Sequence, residues 1–192
     1  STYYASYFLA CDIAKLCGQF ITNVPEVGVT QLLRQVKEGN PSQFIYDGDV
    51  AFAANTSLGT YENEVIIRLN KTAAKPHKVA WTNLYGILTD INETHISFSR
   101  LKDIVGSKCE RWRLPSTVRN EWNYSSTHYY GDKGSSLANS FLKLISNPNS
   151  SFKLFSNNTL PASEENITAS IVFVYEVLKE AHIDAIKQLK LS

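Results

Sequence analysis

The chain has 192 residues, of which 43% are hydrophobic and 19% charged, and its formal net charge is +1. This is enough for one globular domain, burying roughly 70% of its unfolded surface, and a single domain over residues 1–192 is expected. The composition argues against disorder, and near-neutrality without a run of one sign argues against a broad basic face for nucleic acid.

Leu9, Ile13, Leu16 and Phe20 recur at steps of four, three and four, which predicts an N-terminal helix. Tyr3, Tyr4, Tyr7 and Phe8 cover much of its remaining surface, so burial on more than one side is expected. Asp12 and Lys15 interrupt the apolar run, and no run reaches about 18 residues, so no membrane span is expected. No basic segment precedes it, so it is not read as a signal peptide; the start at Ser1 fits a processed chain or an excised ectodomain. Val29, Leu32, Leu33 and Val36 predict a second, short helix, stopped by Gly39-Asn40-Pro41.

The middle of the chain changes period. Residues 49–55 and 62–70 are short, rich in branched side chains and bounded by turn residues, so each predicts a strand. Residues 78–91 and 94–106 are expected to be two more strands, with Asn92-Glu93 at the turn between them. Four consecutive strands imply an antiparallel meander. The fold class expected is therefore α+β: a mainly antiparallel sheet packed against N-terminal helices and a C-terminal helix.

Beyond Cys109 the period fades, and the segment is punctuated by Pro115, Gly131 and Gly134; a long loop is expected there. Leu137, Phe141, Leu144 and Ile145 predict a short helix, and residues 151–157 a strand. Near the C-terminus, Ile167, Ile171, Val174 and Leu178 fit one long helix, but "SIVFVYEV" is dense in strand-forming residues. The reading adopted is a strand through about Val177, then a helix from Lys179 to Leu191.

Seven Asn-X-Ser/Thr triplets begin at Asn55, Asn70, Asn92, Asn123, Asn149, Asn157 and Asn166. Chance in a chain this rich in Ser and Thr gives roughly two or three. The excess predicts N-glycosylation and a secreted, extracellular or luminal location. Of the three cysteines, Cys11 and Cys17 point different ways around one helix, so a disulfide from Cys109 to Cys11 or Cys17 is expected.

Catalytic signatures are absent: no HExxH, Cys/His quartet, GxSxG elbow, GxxxxGK[ST] loop or GxGxxG occurs. No metal and no cofactor is expected. Cys109 with His128 could be drawn as a nucleophile and base, but a disulfide cysteine beside an exposed histidine outweighs it. Asp47-Gly48-Asp49 is better read as a turn than a calcium loop, and Glu62 with Glu64 as a solvated strand face rather than a glycosidase pair.

The stretch richest in recognition chemistry runs from Trp112 to Tyr130. Trp112, Trp122, Tyr124, Tyr129 and Tyr130 are interleaved with Arg111, Arg113 and Arg119, and His128 lies among them. Aromatic rings give flat apolar area with polar tips, and arginine gives planar paired donors. The expected function is non-catalytic recognition of a partner protein or small ligand by this segment. A secreted hydrolase using His128 or His95 with a carboxylate is the alternative, and a lipid carrier the second alternative.

Overall fold

The structure, a computed structural model, describes residues 2–23, 51–58, 65–71, 76–91, 95–106, 115–124, 134–147, 149–150, 153 and 164–191. In chain order these form α1 (Thr2–Leu16), β1 (Gln19–Asn23), β2 (Ala51–Leu58), β3 (Val65–Lys71), α2 (Pro76–Asp90), α3 (Ile96–Val105), α4 (Pro115–Tyr124), α5 (Gly134–Ser146) and α6 (Glu164–Leu191).

Helix dominates, which overturns the expected α+β fold built on a mainly antiparallel sheet. Among the described residues the strands make one three-stranded antiparallel sheet, β1-β2-β3, placed beside a helical core. Residues 78–91 and 94–106 are helices, not strands. Their period shows why: Ala80, Leu84, Ile87 and Leu88 on α2, and Leu101, Ile104 and Val105 on α3, are buried at steps of three and four. β-Branched and aromatic content favoured strand, and tertiary burial along one stripe decided for helix. The C-terminal region is likewise one helix from Glu164, with no strand through Val177. The expected strand pair survives as β2 and β3, joined by β1, which the sequence did not reveal. The second helix expected around Val29–Val36 lies outside the described residues.

α1 forms as expected but turns a different face inward. Its buried residues are Tyr3, Ser6, Ala10 and Ala14, whereas Leu9 and Ile13 are half-buried and Leu16 is exposed. Ser6, Ala10 and Ala14 are one turn apart and small, so the backbone of α1 can approach its neighbours closely. α1 packs on both α6 and α2. The buried Ser6 hydroxyl is satisfied by donating to the Thr2 carbonyl at 2.9 Å. Gly18 ends the helix with φ 73°, a left-handed conformation that costs glycine nothing, and its N–H donates to the Lys15 carbonyl at 2.9 Å. The chain then enters β1 directly.

The core lies among the helices. Trp81, Leu84, Leu101, Ile104, Phe173 and Leu178 are almost wholly removed from water. Each contributes on the order of 1.5–3 kcal/mol of hydrophobic stabilisation before the entropy of ordering it. α6 is the central element, touching α1, α3, α4 and α5. α3 is closed at its start by His95, whose Nδ1 accepts from Ser97 N at 3.3 Å, and at its end by Gly106. A Cβ on Gly106 would meet the Tyr85 ring at 2.5 Å, so the close approach of α2 and α3 depends on glycine there.

Candidate functional site

The segment expected to bind a ligand is in part a helix. Pro115 opens α4, where its missing N–H costs nothing because that position has no intrahelical partner. Arg119, Trp122 and Tyr124 ride on α4, and Arg119 is the one among them whose side chain is described. Arg111, Trp112, Arg113, His128, Tyr129 and Tyr130 lie outside the described residues.

Arg119 reaches across to α1. Its Nη2 donates to the Tyr4 hydroxyl at 2.9 Å, its Nη1 donates to Asn120 Oδ1 at 2.9 Å, and the guanidinium carbon stands 5.9 Å from the centre of the Tyr4 ring. One arginine thus holds the tyrosine by both edge and face. Tyr4 stays 36% exposed and Phe8, one turn further along α1, 60% exposed.

Behind this corner is an aromatic cluster that the sequence did not disclose. Trp81 Nε1 donates to the Tyr3 hydroxyl at 3.5 Å, and the Tyr3 hydroxyl is hydrogen-bonded to His77 Nδ1 at 3.0 Å. The Tyr7 ring lies 4.3 Å from the imidazole, and the Tyr4 ring 5.9 Å, edge-on. Burial, and after it the Arg119 guanidinium, lowers the His77 pKa below its ordinary 6.5, so the ring is neutral at physiological pH. Burial raises the Tyr3 hydroxyl, and burial followed by the neighbouring Cys11 pushes Tyr7 up to about 12. The cluster is therefore uncharged, with the Arg119 cation at its rim. It presents polar tips, ring faces and a ring edge.

Of the seven glycan acceptors, Asn149 has a described side chain, and it is exposed. Asn55 lies on β2, Asn70 on β3, Asn123 on α4 and Asn166 on α6; Asn92 and Asn157 are outside the described residues. Cys11 is half-buried and Cys17 exposed, and both are free thiols, against the expected bridge from Cys109 to one of them. Cys109 itself is outside the described residues. Among the described residues no group of three metal-ligating side chains converges, and no helix is long and apolar enough to cross a membrane. No protein family, curated protein or solved structure matches this chain.

Proposed function

We propose that this chain is an N-glycosylated domain of the secretory pathway or cell exterior that recognises a partner protein or small ligand without catalysing a reaction. The seven acceptor triplets support the compartment. The observation that carries recognition is the corner where Arg119 of α4 holds Tyr4 of α1, with Phe8 exposed beside it. Aromatic rings and arginine fixed in place by a rigid scaffold are the residues that dominate contact energies at interfaces. The recognition segment read from the sequence then joins α1 through Arg119, so the contact surface extends over two helices.

The test uses the intact glycoprotein, displayed on beads and offered to intact eukaryotic cells, beside a Phe8→Ala/Arg119→Ala variant. The reading expects cell binding that falls about tenfold or more in the variant. It also expects no turnover of polysaccharide, RNA or ester substrates. Binding unchanged in the variant, or hydrolysis abolished by His128→Ala, would overturn it.

A further inference from the structure

His77 stands where α1, α2 and α4 meet. It lies in the first turn of α2, and its Nδ1 is 3.0 Å from the Tyr3 hydroxyl of α1. Its ring is 4.3 Å from that of Tyr7 and 5.9 Å, edge-on, from that of Tyr4. Arg119 of α4 donates to the hydroxyl of that same Tyr4 at 2.9 Å. Among the described residues, the ionisable groups facing the imidazole are therefore Tyr3, Tyr4 and Tyr7 of α1 and the Arg119 cation of α4. Cys11 stands behind Tyr7, to which it is hydrogen-bonded. Lys78, next to His77 on α2, is exposed. β1 packs on α2 and has no ionisable side chain. α3 reaches α2 through Gly106 at Tyr85, about two turns beyond His77, and its charged Arg100, Lys102 and Asp103 precede that contact.

A positive charge on this ring meets opposition from several sides. The ring is half-buried, Arg119 repels it, and the first turn of a helix is the positive end of its dipole. The Tyr7 ring face attracts a cation and works the other way. Burial first and Arg119 second prevail, and the imidazole stays neutral above its lowered pKa. A protonated imidazole offers donors alone. The Tyr3 hydroxyl, which already receives the Trp81 N–H at 3.5 Å, could then give the ring no proton.

α1 is held differently along its length. Ala10 and Ala14 are buried small residues that let its later turns lie close on their neighbours. Over residues 2–8 the polar ties to other elements are Tyr3 to His77 and Trp81, and Tyr4 to Arg119. Ser6 donates back to the Thr2 carbonyl at 2.9 Å, a bond that weakens and bends a helix where it occurs.

We infer that His77 is an acid-sensitive latch on the contact corner: a neutral ring keeps residues 2–8 of α1 closed on α2 and α4, and a protonated ring lets them swing away, so that Tyr4 leaves Arg119 and the bound partner is released. The inference rests on the recognition reading above and adds its regulation. Once freed into water the imidazole titrates at about its ordinary 6.5, above its value in the closed corner. The closed form therefore has its full advantage above that pH. Below it the open form gains up to about tenfold per pH unit, until the closed-state value is reached. A histidine whose charge changes the packing of a contact surface is a pH switch.

The experiment measures amide hydrogen exchange of the intact chain, corrected for the intrinsic effect of pH, in wild type, His77→Gln and His182→Gln. Glutamine keeps a polar side chain beside Tyr3 but does not titrate. From about pH 7.5 to about pH 5.5, exchange in residues 6–10 should rise about fivefold or more in wild type and His182→Gln. It should rise less than about twofold in His77→Gln, and α2 and α6 should stay protected throughout. The ring titration of His77, followed by NMR in the wild type, should share its midpoint with the opening of α1. Beads carrying the wild type should lose about fivefold of their bound cells over the same interval, and beads carrying His77→Gln should keep them. An equal pH response in wild type and His77→Gln overturns the latch and leaves the recognition reading standing. So does exchange that rises together in α1, α2 and α6, or cell binding that acid does not weaken. Opening of α1 with no cell binding at any pH overturns the recognition reading and the regulatory role with it.

Discussion

The two halves of α6 follow opposite rules. From Ala169 to Leu178 every position except Tyr175 is buried, and Val172 and Val174 have no exposed surface. From Lys179 to Lys190 the same helix is half-buried or exposed, with Ile183 at 37% and Leu189 at 57%. Glu176 and Lys179 mark the change: the carboxylate is buried, and its Oε2 lies 3.4 Å from an ammonium on a side chain that reaches solvent. A helix surrounded by others has no polar face, so its sequence loses the 3.6-residue period by which helices are read. The first half is packed into the core, and the second is half-buried or open to solvent.

The sharpest way to break this contrast is to truncate a side chain in the buried half. Phe173→Ala should cost about 3–5 kcal/mol by chemical denaturation, because the void left by a packed ring does not collapse fully. A loss below about 1 kcal/mol would mean that this half is not the core.

Enlarging the seam where α1 meets its neighbours comes next. Ala10 has no exposed surface, so Ala10→Leu should destabilise by about 1–3 kcal/mol through overpacking. A neutral result would show that the small residues of α1 are not there to allow close approach.

A smaller effect belongs to His77, which is neither core nor surface. Its pKa in the folded protein lies below the ordinary 6.5, for burial first and Arg119 second. The unfolded chain therefore binds more protons than the folded one as pH falls through 6.5. The stability associated with a neutral His77 is complete above that pH and drains away below it, down to the folded value. Denaturation midpoints between about pH 8 and 5 should decline for the wild type and flatten in His77→Phe. Equal slopes would remove the titration from the account.

The smallest effect sharpens the contrast from the other side. Leu189→Ala, in the exposed half of α6, should shift stability by less than about 0.5 kcal/mol. A loss comparable to that of Phe173→Ala would show that something covers the distal half in solution.

Sequence alone revealed elements that carry a clear local pattern. β2 and β3 were legible from short branched runs such as Val65-Ile66-Ile67, and α5 from Leu137, Phe141 and Leu144. α2 was misread because Val79, Trp81, Thr82 and Tyr85 are strand formers, although its buried positions keep helical spacing. α4 was missed because Pro115 was read as a loop mark rather than a first-turn residue. At the candidate site, the sequence drew notice to Arg119 through the aromatic residues around it in the chain. Its contact with Tyr4, 115 positions earlier, was not, and neither was the meeting of Tyr3 with His77, because both exist only once α1 lies across α2 and α4.

The central claim is that sugar covers part of this molecule and places it outside the cytosol. The most direct check is the intact mass of the protein from its native source, before and after enzymatic removal of N-glycans. The account expects a mass above that of the bare 21.5 kDa chain that drops stepwise by several glycans on treatment. A single species at the bare mass, unchanged by the enzyme, would contradict it.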